Sequence, residues 1–325
     1  MQNLTLSKPI PYRSEADLQA IADLVNACDA VDNFDRGTSP AELKEDYADP
    51  DFDLAQDLRL WYDEAGQLIA LGEVWRSTPP TTKVQAGLSL KVHPRWRYQG
   101  FEEAITAWAE ARLLETAQGL NLPVELDTGC YDTQADLIAL YHRQGYSPVR
   151  YFFRMTRDLA GPIAAPVLPE GFTLRTVDVD QEAEAWVEMF NQTFVDHWNH
   201  HDLTLREFQY YCSLSHYRAD LNLVAVAPDG TLAAFCEGNI HPEDNLRTGR
   251  QEAWIGELGT RRGFRRRGLG RAMLLAGLRA LQNAGMKIAL LGVDADNPSG
   301  ALGLYQSVGF RQQRRSIVLR KRLAG

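Results

Sequence analysis

Cysteine is scarce: Cys28, Cys130, Cys212 and Cys236 are the four in 325 residues. They show neither the paired spacing of a disulfide framework nor that of a zinc site, so they read as reduced, mostly buried thiols of a cytoplasmic protein. No run of about 18 apolar residues is present, which excludes a membrane-spanning helix. The start, Met1-Gln2-Asn3-Leu4, has no basic region followed by an apolar run, so no signal peptide is expected. Positive charge is in deficit, with 34 Lys+Arg against 43 Asp+Glu and a net charge of −9. That weighs against bulk attraction to nucleic acid or to an anionic membrane. A Gly-x-x-x-x-Gly-Lys-Ser/Thr phosphate loop is also missing.

What the chain does have is enough apolar content (45%) for globular cores, and a length of roughly two domains. Its most informative stretch is Glu252–Phe310, which reads as strand, arginine- and glycine-rich turn, helix, strand and short helix. The turn is Arg265-Arg266-Arg267-Gly268-Leu269-Gly270, and Arg271–Ala284 follows as helix. Leu274, Leu278 and Leu281 share one face of that helix, and Gly285 stops it. A glycine turn that opens a helix leaves backbone N–H groups unpaired at the positive end of the dipole, which makes an anion site. Six arginines between positions 261 and 271, in an acidic chain, point to a local polyanion, most simply a pyrophosphate. A dinucleotide-type turn needs a small residue three positions after Gly270, where Met273 stands; Asp294 after the strand Ile288–Val293 keeps that alternative alive.

Arg265, Gly268 and Gly270 fit Arg-x-x-Gly-x-Gly. Asn297, Ala301, Leu304-Tyr305 and Gly309-Phe310 complete the same pattern downstream. On these residues the segment resembles the GNAT N-acyltransferase superfamily, whose pyrophosphate loop binds acetyl-CoA. The first half of the chain repeats the plan. Gly87–Val92 reads as strand, His93–Glu102 as turn, then comes a helix carrying Phe101, Ile105 and Trp108. Pro123–Leu126 is the next strand, and Leu140-Tyr141 to Gly145-Tyr146 closes the unit. Arg97 matches Arg265 and Tyr141 matches Tyr305, a period of roughly 165 residues that implies two homologous domains. The resemblance therefore implies an α/β (α+β) chain of two tandem GNAT-like domains, similar in layout to mycothiol synthase-like enzymes. Each has a mixed, mostly antiparallel twisted sheet flanked by helices. Residues 1–160 are the first domain, 161–170 a proline-punctuated linker, and 171–325 the second.

The first copy departs from the pattern where it matters. Glu102 stands in place of Gly270 and Thr133 in place of Asn297. A carboxylate at the loop repels a pyrophosphate and, with Glu103, neutralises the helix dipole. The first domain is therefore expected to have lost acyl-CoA binding and to serve as a structural or substrate-shaping partner.

For the second domain the resemblance implies direct attack of an amine on the acetyl-CoA thioester. Leu258, Gly259 and Thr260 would offer backbone groups to pantetheine and to the thioester carbonyl, where an N–H also stabilises the oxyanion. Arg265, Arg266, Arg267, Gly268, Leu269, Gly270 and Arg271 would hold the pyrophosphate, with Asn297 also on the cofactor. Gly256 and Gly259 fit a bulge or a close backbone approach. Tyr305 occupies the family's general-acid position, or else only packs against the sulfur end of the cofactor. The base stays open between Glu252 and Glu257, which lie at opposite strand parity so that only one would face the cleft. Glu237 and His241 lie on or just beyond the preceding strand. Acceptor recognition is expected from Glu237 and from Asp196–Asp202, including His197, Trp198 and His201; His200 falls in the same stretch. His197 and His201, at i and i+4, would suit a metal only in a helix, and no metal is expected.

The expected function is acetyl-CoA-dependent N-acetylation of a small-molecule amine by the second domain. Three rivals stand beside it: a non-catalytic acyl-CoA-binding regulatory protein, a protein or peptide N-acetyltransferase, and a nucleic-acid binder through Arg261–Arg271.

Overall fold

The structure, a computed structural model, describes residues 7–34, 37–77, 80, 82–199, 201–297 and 300–324. Met1–Leu4, Pro79 and His200 lie outside the described residues. The chain divides into two compact units. The first comprises Met1–Tyr151 with Ser316–Gly325, and the second Phe152–Arg315.

The first unit runs β1 (Ile10–Pro11), α1 (Ala16–Asp32), α2 (Pro40–Asp46), α3 (Leu54–Asp57), β2 (Leu58–Tyr62), β3 (Leu68–Arg76), β4 (Val84–Val92), α4 (Phe101–Thr116), β5 (Val124–Tyr131) and α5 (Ala135–Arg143). The strand β6 (Ser147–Asp158) leads into the second unit. There follow β7 (Thr173–Thr176), α6 (Val179–Phe194), α7 (Leu205–Ser213), β8 (Asn222–Val226), β9 (Leu232–Asn239), α8 (Pro242–Thr248), β10 (Glu252–Thr260), α9 (Leu269–Asn283), β11 (Ile288–Asp294), α10 (Ala301–Ser307) and β12 (Arg311–Ala324).

Each unit is a mixed sheet covered on both faces. In the second, neighbouring strands follow the order β6-β11-β10-β9-β8-β7, and only the β10–β11 pair is parallel. Alternation along β9 serves the two faces: Ala234 and Cys236 pack under α9 with Leu274, Leu278 and Leu281. Phe235 faces the other way, into a cluster with Trp186 and Met189 of α6 and Phe208 of α7. Trp186 stacks on Phe208 at 4.3 Å between centroids. Local chemistry starts these helices: Thr204 and Glu207 form a reciprocal capping box at α7, and Asp178 caps α6. In the first unit the order is β1-β2-β3-β4-β5-β12, with α4 on one face and α1 and α2 on the other.

The sequence division at 161–170 differs from these units at both ends. Residues 152–158 of β6 pair with β11 in the second unit, and residues 316–324 of β12 pair with β5 in the first. A strand's apolar pattern reports which face is buried, not which strand lies beside it.

Candidate active site

Two adjacent strands separate at the centre of the second unit. The parallel pairing of β10 with β11 runs from Glu252↔Ile288 to Trp254↔Leu290. Beyond it, β10 stays with β9 as far as Thr260 and β11 stays with β6 as far as Asp294. A cavity of about 500 Å³ opens there. It is lined by the strand end Leu258–Thr260, the loop residues Arg265, Arg266, Gly268, Leu269, Gly270 and Arg271, and Tyr305 of α10. Most of the expected cofactor residues are thus brought together. Arg267 and Asn297 are not among the lining residues: Arg267 lies over the Phe264 ring, and the Asn297 N–H turns the chain by donating to the Asp294 carbonyl at 3.2 Å.

The loop's arginines divide their work. Arg265 donates to the carbonyls of Thr260 (3.2 Å) and Thr193 (2.7 Å), locking the loop to the strand end and to α6. Arg261 and Arg262 pair with Glu188 and Asp196. Arg266 and Arg271 line the cavity, where they can meet an anion directly. The chain takes left-handed backbone at Arg266 (φ 61°) and Gly268 (φ 87°), which turns the loop into the first turn of α9. The leading amides of that helix have no intrahelical acceptor, and a glycine at 270 keeps side-chain atoms off them. These features fit a pyrophosphate.

The strand β10 carries a bulge at Gly256. Ile255 pairs with Gly238 and Glu257 with Glu237, leaving Gly256 as the extra residue. This corrects the parity argument for the two glutamates. Ala253 and Ile255 point to the α9 core, but after the bulge it is Leu258 that packs there. Glu252, Trp254, Glu257 and Gly259 therefore share the opposite face. At Gly259 a Cβ would stand 2.5 Å from Thr193 and 2.6 Å from Phe235, so close approach requires glycine.

Glu252 and Glu257 share a face but not an environment. Glu252 sits 3.3 Å from Arg250 and 3.8 Å from Arg154 in ion pairs. With Gly256 bulged out, four ladder positions also separate it from Glu257, about 13 Å. Glu257 instead faces Glu237 directly across the β9–β10 ladder. Burial and the facing Glu237 charge push the Glu257 carboxyl up to about 8. Burial pushes Glu237 up to about 7, opposed by a hydrogen bond donated by the Tyr211 hydroxyl. The same hydroxyl lies 2.8 Å from Asn239 Oδ1. Tyr305 is 8% exposed, and burial, then Cys236 and Glu257, raise its phenol well above the ordinary value. It is a protonated hydroxyl at neutral pH.

The residues expected to recognise the acceptor scatter. Residues 195–199 are turns rather than helix, so His197 and His201 do not share a helical face. His197 stands 4.4 Å from the Phe194 ring and lines the loop cavity, Trp198 lies 6.2 Å from Phe152, and His201 is exposed. His241 stands 5.2 Å from His216, and burial lowers its imidazole. The residues missed in the sequence are Tyr211, on a helix whose amphipathic pattern looks ordinary, and Thr193 and Phe194 at the end of α6.

The first unit repeats the site in altered form. There β4 and β5 pair as far as Leu88↔Thr128 and then separate over a cavity of about 350 Å³. Arg97 donates to the Val92 carbonyl at 3.2 Å, as Arg265 does to Thr260, and Tyr98 (φ 59°) mirrors Arg266. Tyr47 donates to Glu73 at 2.5 Å, the counterpart of Tyr211 and Glu237. Across from Glu73, however, stands Ser89 where the second unit has Glu257. Glu102 is 2% exposed, and both its carboxylate oxygens accept from the Tyr98 N–H, at 3.0 and 3.1 Å.

Two units, each with a splayed strand pair and an arginine-glycine loop opening a helix, define a tandem acyltransferase fold. Comparison with known proteins agrees. The sequence pattern of the Acetyltransferase (GNAT) family matches residues 183–310. A mycothiol acetyltransferase of Thermobispora bispora is 31% identical over 271 residues, 81% of this chain and 82% of that protein. Another, from Pseudarthrobacter chlorophenolicus, is 29% identical over 224 residues, and the match spans 66% of its length. A GCN5-related N-acetyltransferase from Sphaerobacter thermophilus superposes with a TM-score of 0.76 at 26% identity, covering 97% of this chain and 95% of that one. A tandem GNAT protein from the clavulanic acid biosynthesis pathway shares the fold at a TM-score of 0.70, 16% identity and 98% coverage of both chains. The chain belongs to the GNAT acetyltransferase family.

Proposed function

We propose that the second unit transfers an acetyl group from acetyl-CoA to the primary amine of a small molecule, and that the first unit is a scaffold without acyl-CoA binding. The carrying observation is the cavity that joins the loop Arg265–Arg271, the strand end Leu258–Thr260 and Tyr305; Glu257, outside that lining, directly precedes Leu258, faces Glu237 across the ladder and bears on the Tyr305 hydroxyl through its charge. Amides of the loop and first turn, with Arg266 and Arg271, hold the pyrophosphate, and Leu258–Thr260 orient the pantetheine arm and thioester carbonyl. Glu257 takes a proton from the acceptor ammonium, because only the free amine attacks. As the C–N bond forms and the C–S bond breaks, Tyr305 donates its proton to the departing sulfur, and the proton the nitrogen sheds in becoming an amide restores the phenol. Glu252, tied to Arg154 and Arg250, has no part in this. The relatives' name, mycothiol acetyltransferase, puts amines related to mycothiol first among acceptors to assay.

The test is calorimetric titration of acetyl-CoA into the wild type and Gly270→Glu, with turnover measured on an amine panel. A Cβ at 270 meets only ordinary contacts, Thr260 at 3.6 Å and Leu304 at 3.7 Å, so the variant should fold. One site in the wild type, lost in Gly270→Glu, is the expected result. Two wild-type sites overturn the one-active-unit reading, and binding without any turnover moves the protein to a regulatory role.

A further inference from the structure

In the second unit, Tyr211 from α7 reaches across the sheet face and clamps a glutamate that stands directly opposite the glutamate assigned as base. Two carboxylates placed across one antiparallel pair, with side chains about 5 Å apart at their Cβ atoms, cannot both stay ionised without mutual repulsion. Strands ordinarily avoid like charges in this position, so the arrangement opposes folding stability and calls for a functional reason. The first unit supplies the contrast. It keeps the clamp as Tyr47 and Glu73 but sets Ser89 opposite it. The clamped glutamate is common to both units, and the facing carboxylate belongs to the second alone.

We propose that Glu237, held by Tyr211, is a positioning residue that keeps a second carboxylate against Glu257 so that the pair takes up one proton between them. The proposal rests on Glu257 being the base. When both carboxylates are ionised their repulsion favours uptake of one proton, so Glu257 can collect it from an acceptor ammonium near neutral pH, where a lone exposed carboxylate would be too weak a base. The pair's protonation is observed as a property of both groups together. Other titratable groups bearing on it are Tyr211, Cys212 and Tyr217 from the α7 side, Cys236 on β9 and Tyr305 from α10.

The experiment is the pH profile of kcat/KM for the wild type, Glu237→Gln, Tyr211→Phe and Glu257→Gln, all with one acceptor so that its amine ionisation cancels. Thermal midpoints check that each variant is folded. Glu237→Gln removes the facing charge, so the limb on which activity rises with pH should move toward acid by about one pH unit. Tyr211→Phe lets Glu237 hold its proton more firmly and should move the limb the same way by less. A limb that stays in place in both folded variants, with Glu257→Gln inactive, overturns the proposal while leaving the base assignment intact. A wild-type profile in Glu257→Gln overturns the base assignment and this inference with it. Loss of activity in Glu237→Gln with an unmoved limb reduces Glu237 to a structural role and also overturns the proposal.

Discussion

Glu102 turns back on its own loop, its carboxylate accepting from the Tyr98 N–H at 3.0 and 3.1 Å while buried beneath the start of α4. In the second unit the matching position is Gly270, on the wall of the larger cavity. The difference is more than repulsion between like charges. In the first unit a carboxylate of the chain already takes up the loop amide that a phosphate would need, so a ligand must displace an internal hydrogen bond as well as tolerate the charge. Burial raises this carboxyl above its usual range, with the Tyr98 N–H pulling the other way.

Glu102→Gly should therefore create a second, weaker acetyl-CoA site, read as a rise in calorimetric stoichiometry from one toward two. The new site would remain catalytically silent, because Ser89 stands where a base is needed. Unchanged stoichiometry in a folded variant would show that the first unit lost binding elsewhere, with Thr133 in place of Asn297 the next residue to change.

How much of this was readable in advance follows from the range over which each residue acts. The loop, its helix and the two flanking strands were readable because glycine conformation, helix dipole and apolar periodicity are local. The observed β11, Ile288–Asp294, ends one residue beyond the expected Ile288–Val293. The face shared by Glu252 and Glu257 was not readable, since one bulged glycine inverts every later side chain. Gly256 marks a bulge in the sequence, but only the register across β9 shows that Glu252 and Glu257 end on one face. Tyr211 was invisible for a different reason: a tyrosine on a helix acquires its meaning only when the fold sets it against Glu237.

Glu257→Gln should lower kcat/KM by on the order of 10²- to 10³-fold and abolish the pH limb. The sign is set by burial and by Glu237, which raise the Glu257 carboxyl to about 8. The base works deprotonated, so wild-type activity should climb as pH rises through that value and level off above it. A stopped assay of thiol release from pH 6 to 10 checks this; a wild-type rate that falls across the interval would contradict it.

Tyr305→Phe tests the acid. The ring's packing against Phe310, 6.1 Å between centroids, survives the change, so acetyl-CoA affinity should move little while kcat falls by about 10²-fold. A purely packing role would leave kcat within a few-fold of wild type. Separating kcat from the calorimetric Kd distinguishes the two.

Gly259 gives a stability test of the site's architecture. Its missing side chain lets β10 lie against Thr193 and Phe235, where a Cβ would stand at 2.5 and 2.6 Å. Both neighbours are fixed: Thr193 by its hydroxyl donating to the Met189 carbonyl at 2.7 Å, and Phe235 by rings from α6. Gly259→Ala should therefore cost about 1–3 kcal/mol through overpacking. Gly292→Ala, on the neighbouring strand β11 with nothing within 4 Å of its Cβ, should cost little. Denaturant midpoints of the two variants compare them under one condition. If Gly259→Ala is as stable as Gly292→Ala, the strand end and α6 have room to part, and α6 does not fix the position of Leu258–Thr260.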